Sequence, residues 1–418
     1  MTDTLPKNLI LELARSLHAS GSPAYELDHR MESVAAALGQ PATFFSTPTA
    51  LFVTFDDESQ GTRLLRVYPG DTNLAMYAEL FGLQQLILRN GISAEDAWLR
   101  LQEIRTTPNG YATFVQVASF GIVAACVAVL VGGNDTVILS SGAIGLIVGA
   151  MVLGLSRWNV PTHLINVTAG FVAAATASAV QAWIAPGNYE LAALSALIVL
   201  VPGLHLTISI NELATQNLAS GSARIAGAMT TLLTLIFGVY MGHGFITALQ
   251  SMPNSVAPQT PSLLASAAVM IPTGLCLAVL FRTRYRDIPW LMISTLIGYG
   301  SLRLAGEYFS PFASVWIASV ITGVTSRLLS RRLNLPAAVM LMPALILLVP
   351  GSLGFTGVAH IMLHEDLPSG IRLLTTMLLT AVAIVAGQLV TDVITPASAQ
   401  GLFGNDEPSE SKAEGDHK

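Results

Sequence analysis

The segment Leu197-Ile198-Val199-Leu200-Val201-Pro202-Gly203 returns, with one change, as Leu345-Ile346-Leu347-Leu348-Val349-Pro350-Gly351. Each copy lies inside a long apolar stretch and interrupts it with Pro-Gly. After each break comes a Ser-Gly pair (Ser220-Gly221, Ser369-Gly370), then an arginine (Arg224, Arg372), then another apolar run. Proline removes a backbone donor and clashes with the preceding helical turn, while glycine tolerates unwound backbone. A duplicated apolar half with a broken helix in each copy points to a membrane transporter.

Composition agrees with a lipid setting. Of 418 residues, 52% are hydrophobic and only 11% charged. Soluble domains carry about 25% charged residues, so the solvent for most of this chain must be the bilayer. The charges are unevenly spread. Residues 1–110 hold 8 Lys/Arg against 13 Asp/Glu, residues 111–392 hold 10 against 8, and residues 393–418 hold 2 against 5. The two ends therefore face water, the last as an acidic disordered tail. The net charge of -6 argues against a nucleic-acid partner. Cys126 and Cys276 both sit in apolar runs, so neither a disulfide framework nor a zinc spacing exists. The first residues lack an apolar core, and no cleaved signal peptide is expected.

Ten apolar segments are predicted as spans, at about 113–131, 137–155, 162–184, 190–210, 224–248, 262–281, 288–305, 311–329, 336–356 and 370–392. Each is near the ~20 residues that cross the hydrocarbon core. With the N-terminus in the cytoplasm, the inner loops carry Arg157, Arg224, Arg282, Arg284, Arg286, Arg327, Arg331 and Arg332. The outer loops 132–136, 185–189, 249–261, 306–310 and 357–369 contain no Lys or Arg. Only Arg303 and Arg372 fall at outer ends of spans. This asymmetry places both termini inside. Membrane half 1 (111–248) and half 2 (262–392) each hold five spans, an odd number. The second copy must then enter from the opposite side, giving two five-helix inverted repeats.

Residues 1–110 read as a small soluble α+β domain. Leu9, Leu13 and Leu17 repeat at helical spacing. Ser22-Pro23 starts a second helix, with Ser at N-cap and Pro at N1, running to about Leu38 and stopping at Gly39. Residues 43–46, 50–55 and 62–68 are β-rich. Asp71 opens a third helix that ends near Asn90-Gly91, and Ser93-Ala94-Glu95-Asp96 has capping-box spacing for a fourth. Pro108-Asn109-Gly110 marks the boundary. His18 and His29 have no partner at a recognisable spacing, and no catalytic constellation is visible. A regulatory module, a cytoplasmic gate and a dimerisation surface all remain open.

This order of motifs resembles the threonine/serine exporter family. In the front domain the matching pieces are Gly21-Ser22-Pro23-Ala24-Tyr25-Glu26-Leu27, Ala37-Leu38-Gly39 and Phe45-Ser46-Thr47-Pro48-Thr49-Ala50-Leu51. Half 1 matches through Gly132-Gly133-Asn134-Asp135 and Val201-Pro202-Gly203, and half 2 through Leu348-Val349-Pro350-Gly351 and Asp366-Leu367-Pro368-Ser369-Gly370. The resemblance covers nearly the whole chain except the acidic tail. It implies export of small amino acids or small dicarboxylates, driven by the proton motive force. It supplies no list of binding residues.

The residues themselves supply the candidates. Unwound backbone at Pro202-Gly203 and Pro350-Gly351 survives at membrane depth only in protein or at a cavity. Helix N-termini there suit a carboxylate and freed carbonyls suit an ammonium, both present on an amino acid. A simple packing kink fits the same residues. Asn166 is a polar side chain in an apolar span and a substrate candidate, or interhelical glue, as is Gln181. His205 and Glu212 are candidates for proton coupling, and Arg372 for attraction of a carboxylate. Arg303 with Glu307, and Gln388 with Asp392, have the spacing to pair along one helix. His360 and His364 have metal-ligand spacing without an evident third ligand beyond Glu365 or Asp366, so no metal and no cofactor are expected. An intramembrane enzyme would need converging nucleophiles or His-Glu-x-x-His, a channel a repeated filter, and a pump a Walker A loop; none is present. The expected partners are a small amino acid or dicarboxylate, protons and the lipid bilayer, with a homo-oligomer possible. The expected setting is a bacterial cytoplasmic (inner) membrane, crossed many times.

Overall fold

The computed structural model describes residues 4–56, 61–68, 72–107, 110–348 and 351–395. The N-terminal unit begins with α1 (Thr4–Ala19) and α2 (Ala24–Ala37), continues through β1 (Ala42–Thr47), β2 (Ala50–Phe55) and β3 (Thr62–Arg66), and closes with α3 (Leu74–Leu88) and α4 (Ala94–Thr106). Leu9, Leu13 and Leu17 share one face of α1 and are fully or almost fully buried. They pack with Leu27 and Met31 of α2, Phe44 and Val53 of the sheet, and Leu80, Leu83 and Leu101 of the last two helices. The sheet is antiparallel in the order β1-β2-β3, with Phe44 opposite Val53 on the buried face. On the other face Phe45, Phe52 and Leu64 line up in register and stay exposed.

Two helix starts differ from the sequence expectation. The N-cap of α2 is Pro23, one residue later than Ser22, and no side chain of its own caps it. The first N–H of that helix, on Ala24, instead donates to Glu212, 188 residues away. Asp71, read as the opener of α3, lies outside the described residues; the observed cap is Asn73, whose side chain accepts from Met76 N at 3.1 Å. Ser93 caps α4 as its spacing predicts, accepting from Asp96 N. The boundary residues Pro108 and Asn109 lie outside the described residues.

The apolar part follows the predicted segments closely. It contains α5 (Thr113–Leu130), α6 (Asp135–Arg157), α7 (Thr162–Trp183), α8 (Tyr189–Leu197), α9 (Gly203–Ala214) and α10 (Leu218–Thr247). After a loop come α11 (Leu263–Leu280), a short 3-10 turn (Tyr285–Asp287), α12 (Ile288–Tyr308), α13 (Pro311–Leu333), α14 (Ala338–Leu348), α15 (Gly351–Leu363) and α16 (Leu367–Ile394). Among the described residues, eight stretches are long and apolar enough to cross a membrane. One of them is the run Ala338–Leu363, which contains α14 and α15. The predicted fourth span is not among the eight, because its break leaves α8 and α9 too short. Nor is α12, whose apolar run is diluted by Ser294, Thr295, Ser301 and Arg303.

Small residues set the helix spacing. A Cβ on Gly170 of α7 would lie 2.2 Å from the Leu235 carbonyl of α10, and one on Gly238 of α10 would lie 2.2 Å from the Val167 carbonyl. Backbones that close leave no room for a side chain, so dispersion contacts rather than hydrophobic transfer hold this pair. The loop between the halves folds back over one end of the first half: Gln259 N donates to Gly132 O at 2.7 Å, and Val256 N to Gly187 O. Gly132 has φ +80° and faces the Gln259 backbone where a Cβ would clash. Asn134 caps α6 by accepting from Val137 N at 3.0 Å. These contacts account for Gly132-Gly133-Asn134-Asp135 as a helix start under a strap.

Candidate functional site

The two breaks meet. A Cβ built on Gly351 would lie 3.1 Å from the Gly203 Cα and 3.1 Å from Val201 Cγ1. Both glycines are buried, and each opens a helix, α9 and α15. Pro350 and Val349 lie outside the described residues. At the first break Pro202 has φ -80° and ψ 43°, off the helical path. Gly203 N turns back to Val201 O at 2.8 Å, and Leu206 N reaches Pro202 O. The carbonyls of Val199 and Leu200 accept no backbone hydrogen bond among the described residues. Around the breaks pack Leu206, Leu232, Phe355, Val358 and Met377. Two helix N-termini and unspent carbonyls therefore converge inside an apolar surround. Pro343, inside α14, adds a further interruption that the sequence reading did not single out.

From the breaks α9 runs to the N-terminal unit. Glu212, near its end, is 0% exposed. Arg224 Nε lies 3.0 Å from each carboxylate oxygen, Ser220 Oγ donates to Oε2 at 2.8 Å, and Ala24 N donates to Oε1 at 3.1 Å. The carboxylate thus sits on the N-terminus of α2, where the helix dipole favours it. Next to it the Tyr25 hydroxyl hydrogen bonds the Asn211 side chain, and burial raises its pKa well above the ordinary tyrosine value. His205 is exposed and lines a small cavity of about 20 Å³ with His18, Gly21, Thr72, Ile208 and Arg224. His18 Nε2 donates to Thr47 O at 3.0 Å, and burial lowers its pKa. Asp28 accepts from Ser46 N at 3.2 Å; burial pushes its carboxyl up to about 6. The motifs Gly21–Leu27 and Phe45–Leu51 are thereby explained as the seam between the N-terminal unit and the first half.

The remaining candidates are elsewhere. Asn166 is buried in α7, with Nδ2 lacking a partner among the described residues. Arg372 is exposed on α16. It follows Gly370, which packs on Gly357 and Ile361 of α15. Ten helical residues separate Ile361 from Gly351, roughly 15 Å, so the structure does not bring Arg372 to the breaks. Gln388 and Asp392 do not pair with each other. Gln388 Nε2 donates to Ser319 of α13 at 2.9 Å, and Asp392 pairs with Arg327. Gln181 is a clasp: Nε2 donates to Pro253 O at 2.9 Å while Oε1 accepts from Tyr189 N at 2.8 Å. His360 and His364 face each other with centroids 5.3 Å apart, yet each turns to a different carboxylate, Asp366 at 3.8 Å and Glu190 at 2.8 Å. Sequence reasoning missed Glu190 and His243 altogether, because their partners lie far away in the chain.

Residues 8–246 and 265–394 match two families, each described as threonine/serine exporter. A pheromone-regulated membrane protein 10 of Candida albicans is 25% identical over 362 residues, 83% of this chain and 32% of its own length. The protein of the same name in Kluyveromyces lactis is 25% identical over 416 residues, 95% of this chain and 41% of its own. A threonine/serine exporter of Corynebacterium glutamicum is 24% identical over 332 residues, 78% of this chain and 68% of its own. The chain spans about a third to two fifths of the length of these fungal relatives. No solved structure matches it.

Proposed function

We propose, from the premise that this chain belongs to the threonine/serine exporter family, that it exports threonine, serine or a similarly small carboxylated metabolite by proton-coupled alternating access. The family is one of multi-pass membrane exporters and not of enzymes. The observation that carries the reading is the contact of Gly203 with Gly351. In an inverted pair of five-span halves, α9 and α15 leave that point in opposite directions. Their N-termini offer partial positive charge to a carboxylate, and the C-termini of α8 and α14 with the freed carbonyls offer partial negative charge to an ammonium. A zwitterion is the ligand that uses both.

The assigned binding residues are Pro202, Gly203, Pro350 and Gly351, with Asn166 as a buried polar contact. Arg372 acts only as a distant attraction for the carboxylate. His205 and Glu212 are assigned to the proton. A proton on Glu212 would release Arg224 and the α2 N-terminus together, loosening the N-terminal unit from α9. The full arrangement is ten spans: the eight long apolar stretches plus α12 and the broken α8–α9 pair. Both termini lie in the cytoplasm, in a bacterial inner membrane. Residues 1–110 then form the cytoplasmic domain, 111–248 and 262–392 the two halves, and 393–418 an acidic tail.

The test is flux in proteoliposomes with labelled threonine, serine and succinate, with and without a pH gradient. Gradient-driven movement of threonine or serine is expected. Movement of succinate alone would make the substrate a small dicarboxylate, and gradient-independent flux would remove the coupling. Gly203→Leu or Gly351→Leu should abolish transport while insertion persists: a Cβ on Gly351 would already lie 3.1 Å from the Gly203 Cα, so a leucine at either break would force the two apart. If both variants transport at the wild-type rate, the breaks are packing kinks and the site lies elsewhere.

A further inference from the structure

The broken α8–α9 span carries a carboxylate at each end, at opposite ends of the bundle. Glu212 closes α9 against the N-terminal unit, and Glu190 stands in the first turn of α8. The 22 residues between them span roughly 30 Å as helix. At the Glu190 end, His364 Nε2 lies 2.8 Å from Glu190 Oε1. Glu190 belongs to the first half, and His364 to the turn between α15 and α16 of the second. The pair therefore joins the two halves where α8 and α15 come together.

Each partner is held by its own half. On one side Asn188 caps α8 by accepting from Leu191 N at 3.1 Å, and the helix N-terminus favours the Glu190 carboxylate. Tyr189 is fixed through Gln181 and by stacking on His243, with ring centroids 3.9 Å apart and planes 4° from parallel. His243 Nδ1 is in turn 3.0 Å from Ser178 Oγ. On the other side Asp366 N donates to His360 O at 3.0 Å, and Asp366 caps α16 by accepting from Ser369 N. Glu365 takes a left-handed φ of +54° in that turn. Both mounts being fixed, the bond breaks when α8 and α15 move apart.

Glu190 is 34% exposed and His364 40%. A pair this wet shifts an equilibrium by about five-fold at most. That is a poor rivet between two halves and a suitable latch for a contact that opens in every cycle. We propose that Glu190 and His364 form the gate that closes the substrate path at the end of the bundle opposite the N-terminal unit. The proposal rests on the alternating-access reading above. Neither residue touches the breaks; they act by positioning α8 against α15.

The experiment uses the full chain in vesicles, with Cys126→Ala, Cys276→Ala and a single reporter, Ser352→Cys, beside the Gly351 break. A membrane-impermeant maleimide is applied from the Glu190 face. Glu190→Lys or His364→Glu should raise the labelling rate about two- to five-fold, and the double E190K/H364E should return it to the starting value by restoring a donor and a carboxylate across the same gap. His364→Ala removes the bond without adding a charge and should also speed labelling. Single variants that label at the starting rate, or a double as fast as its parents, would overturn the gate. Flux of threonine, serine and succinate measured in the same vesicles separates the two readings. Normal flux with unmoved labelling sinks the gate alone, and a parent chain that moves neither threonine, serine nor succinate sinks the transporter reading.

Discussion

Glu212 gathers three donors from two elements: Ala24 of α2, and Ser220 and Arg224 of α10's first turns. Its side chain is fully buried and that of Arg224 is 13% exposed. Removing one partner of such a pair leaves a buried charge without compensation, which costs about 3–5 kcal/mol. Arg224→Ala should therefore lower stability by that amount in detergent unfolding followed by tryptophan fluorescence, while the paired change E212M/R224M should recover most of it. A loss no greater for R224A than for the double change would mean that the carboxylate finds other partners. Asp28 gives a pH signature in the same seam. Its carboxyl is raised from 3.8 to about 6, chiefly by burial. A raised folded value contributes stability that is fully present below pH 3.8 and lost as pH rises through about 6. Asp28→Asn should thus raise the melting temperature relative to the parent chain above pH 7 and give no advantage near pH 4. None of this was legible in the sequence. Glu212 was marked there for its charge near the membrane, but its partner Ala24 has no side chain that announces a contact.

At the scale of elements the sequence was far more informative. Lipid demands that each spanning helix satisfy its own backbone, so apolar length alone located α5, α6, α7, α11, α13 and α16 to within a few residues, while α10 starts six residues before the expected 224. Pro-Gly located the break between α8 and α9 for the same reason. What length does not encode is which side chain a helix meets. Gln388 and Asp392 have the spacing to pair along α16, yet both reach across to α13. The close approach of α7 to α10 was also invisible, since nothing in the spacing of either span pairs Gly170 with Gly238. Gly170→Ala pushes a methyl to 2.2 Å from the Leu235 carbonyl. Overpacking of this kind costs about 1–3 kcal/mol, and the variant should melt earlier by a margin that Gly227→Ala, with open space around it, does not show.

For the whole molecule, the arginines and the N-terminal unit agree on one end of the bundle. Arg284 of the α11–α12 turn pairs with Glu79 of α3 at 2.7 Å and with Asp287 at 2.6 Å. The backbone joins there too, with Leu74 N donating to Phe281 O at 2.9 Å and the Tyr111 hydroxyl to Thr283 O at 2.6 Å. The N-terminal unit is therefore seated on both halves, at α9 through Glu212 and at the α11–α12 turn through Glu79. The arginine-rich turns lie on that side, and the loop 249–261, which lacks Lys and Arg, lies over the other end against Gly132 and Gly187. Cationic loops stay in the cytoplasm, so the N-terminal unit should face inward and the strap outward. Single cysteines at Asn254 and at Arg286, both exposed positions, test this in whole cells. Asn254→Cys should react with an impermeant maleimide in intact cells, and Arg286→Cys only after the membrane is opened. The reverse pattern would invert the molecule and put the Glu190–His364 pair on the cytoplasmic side. Labelling of both sites from outside would break the link between the seat of the N-terminal unit and the arginine asymmetry, and with it the odd number of spans per half on which the inverted repeat depends.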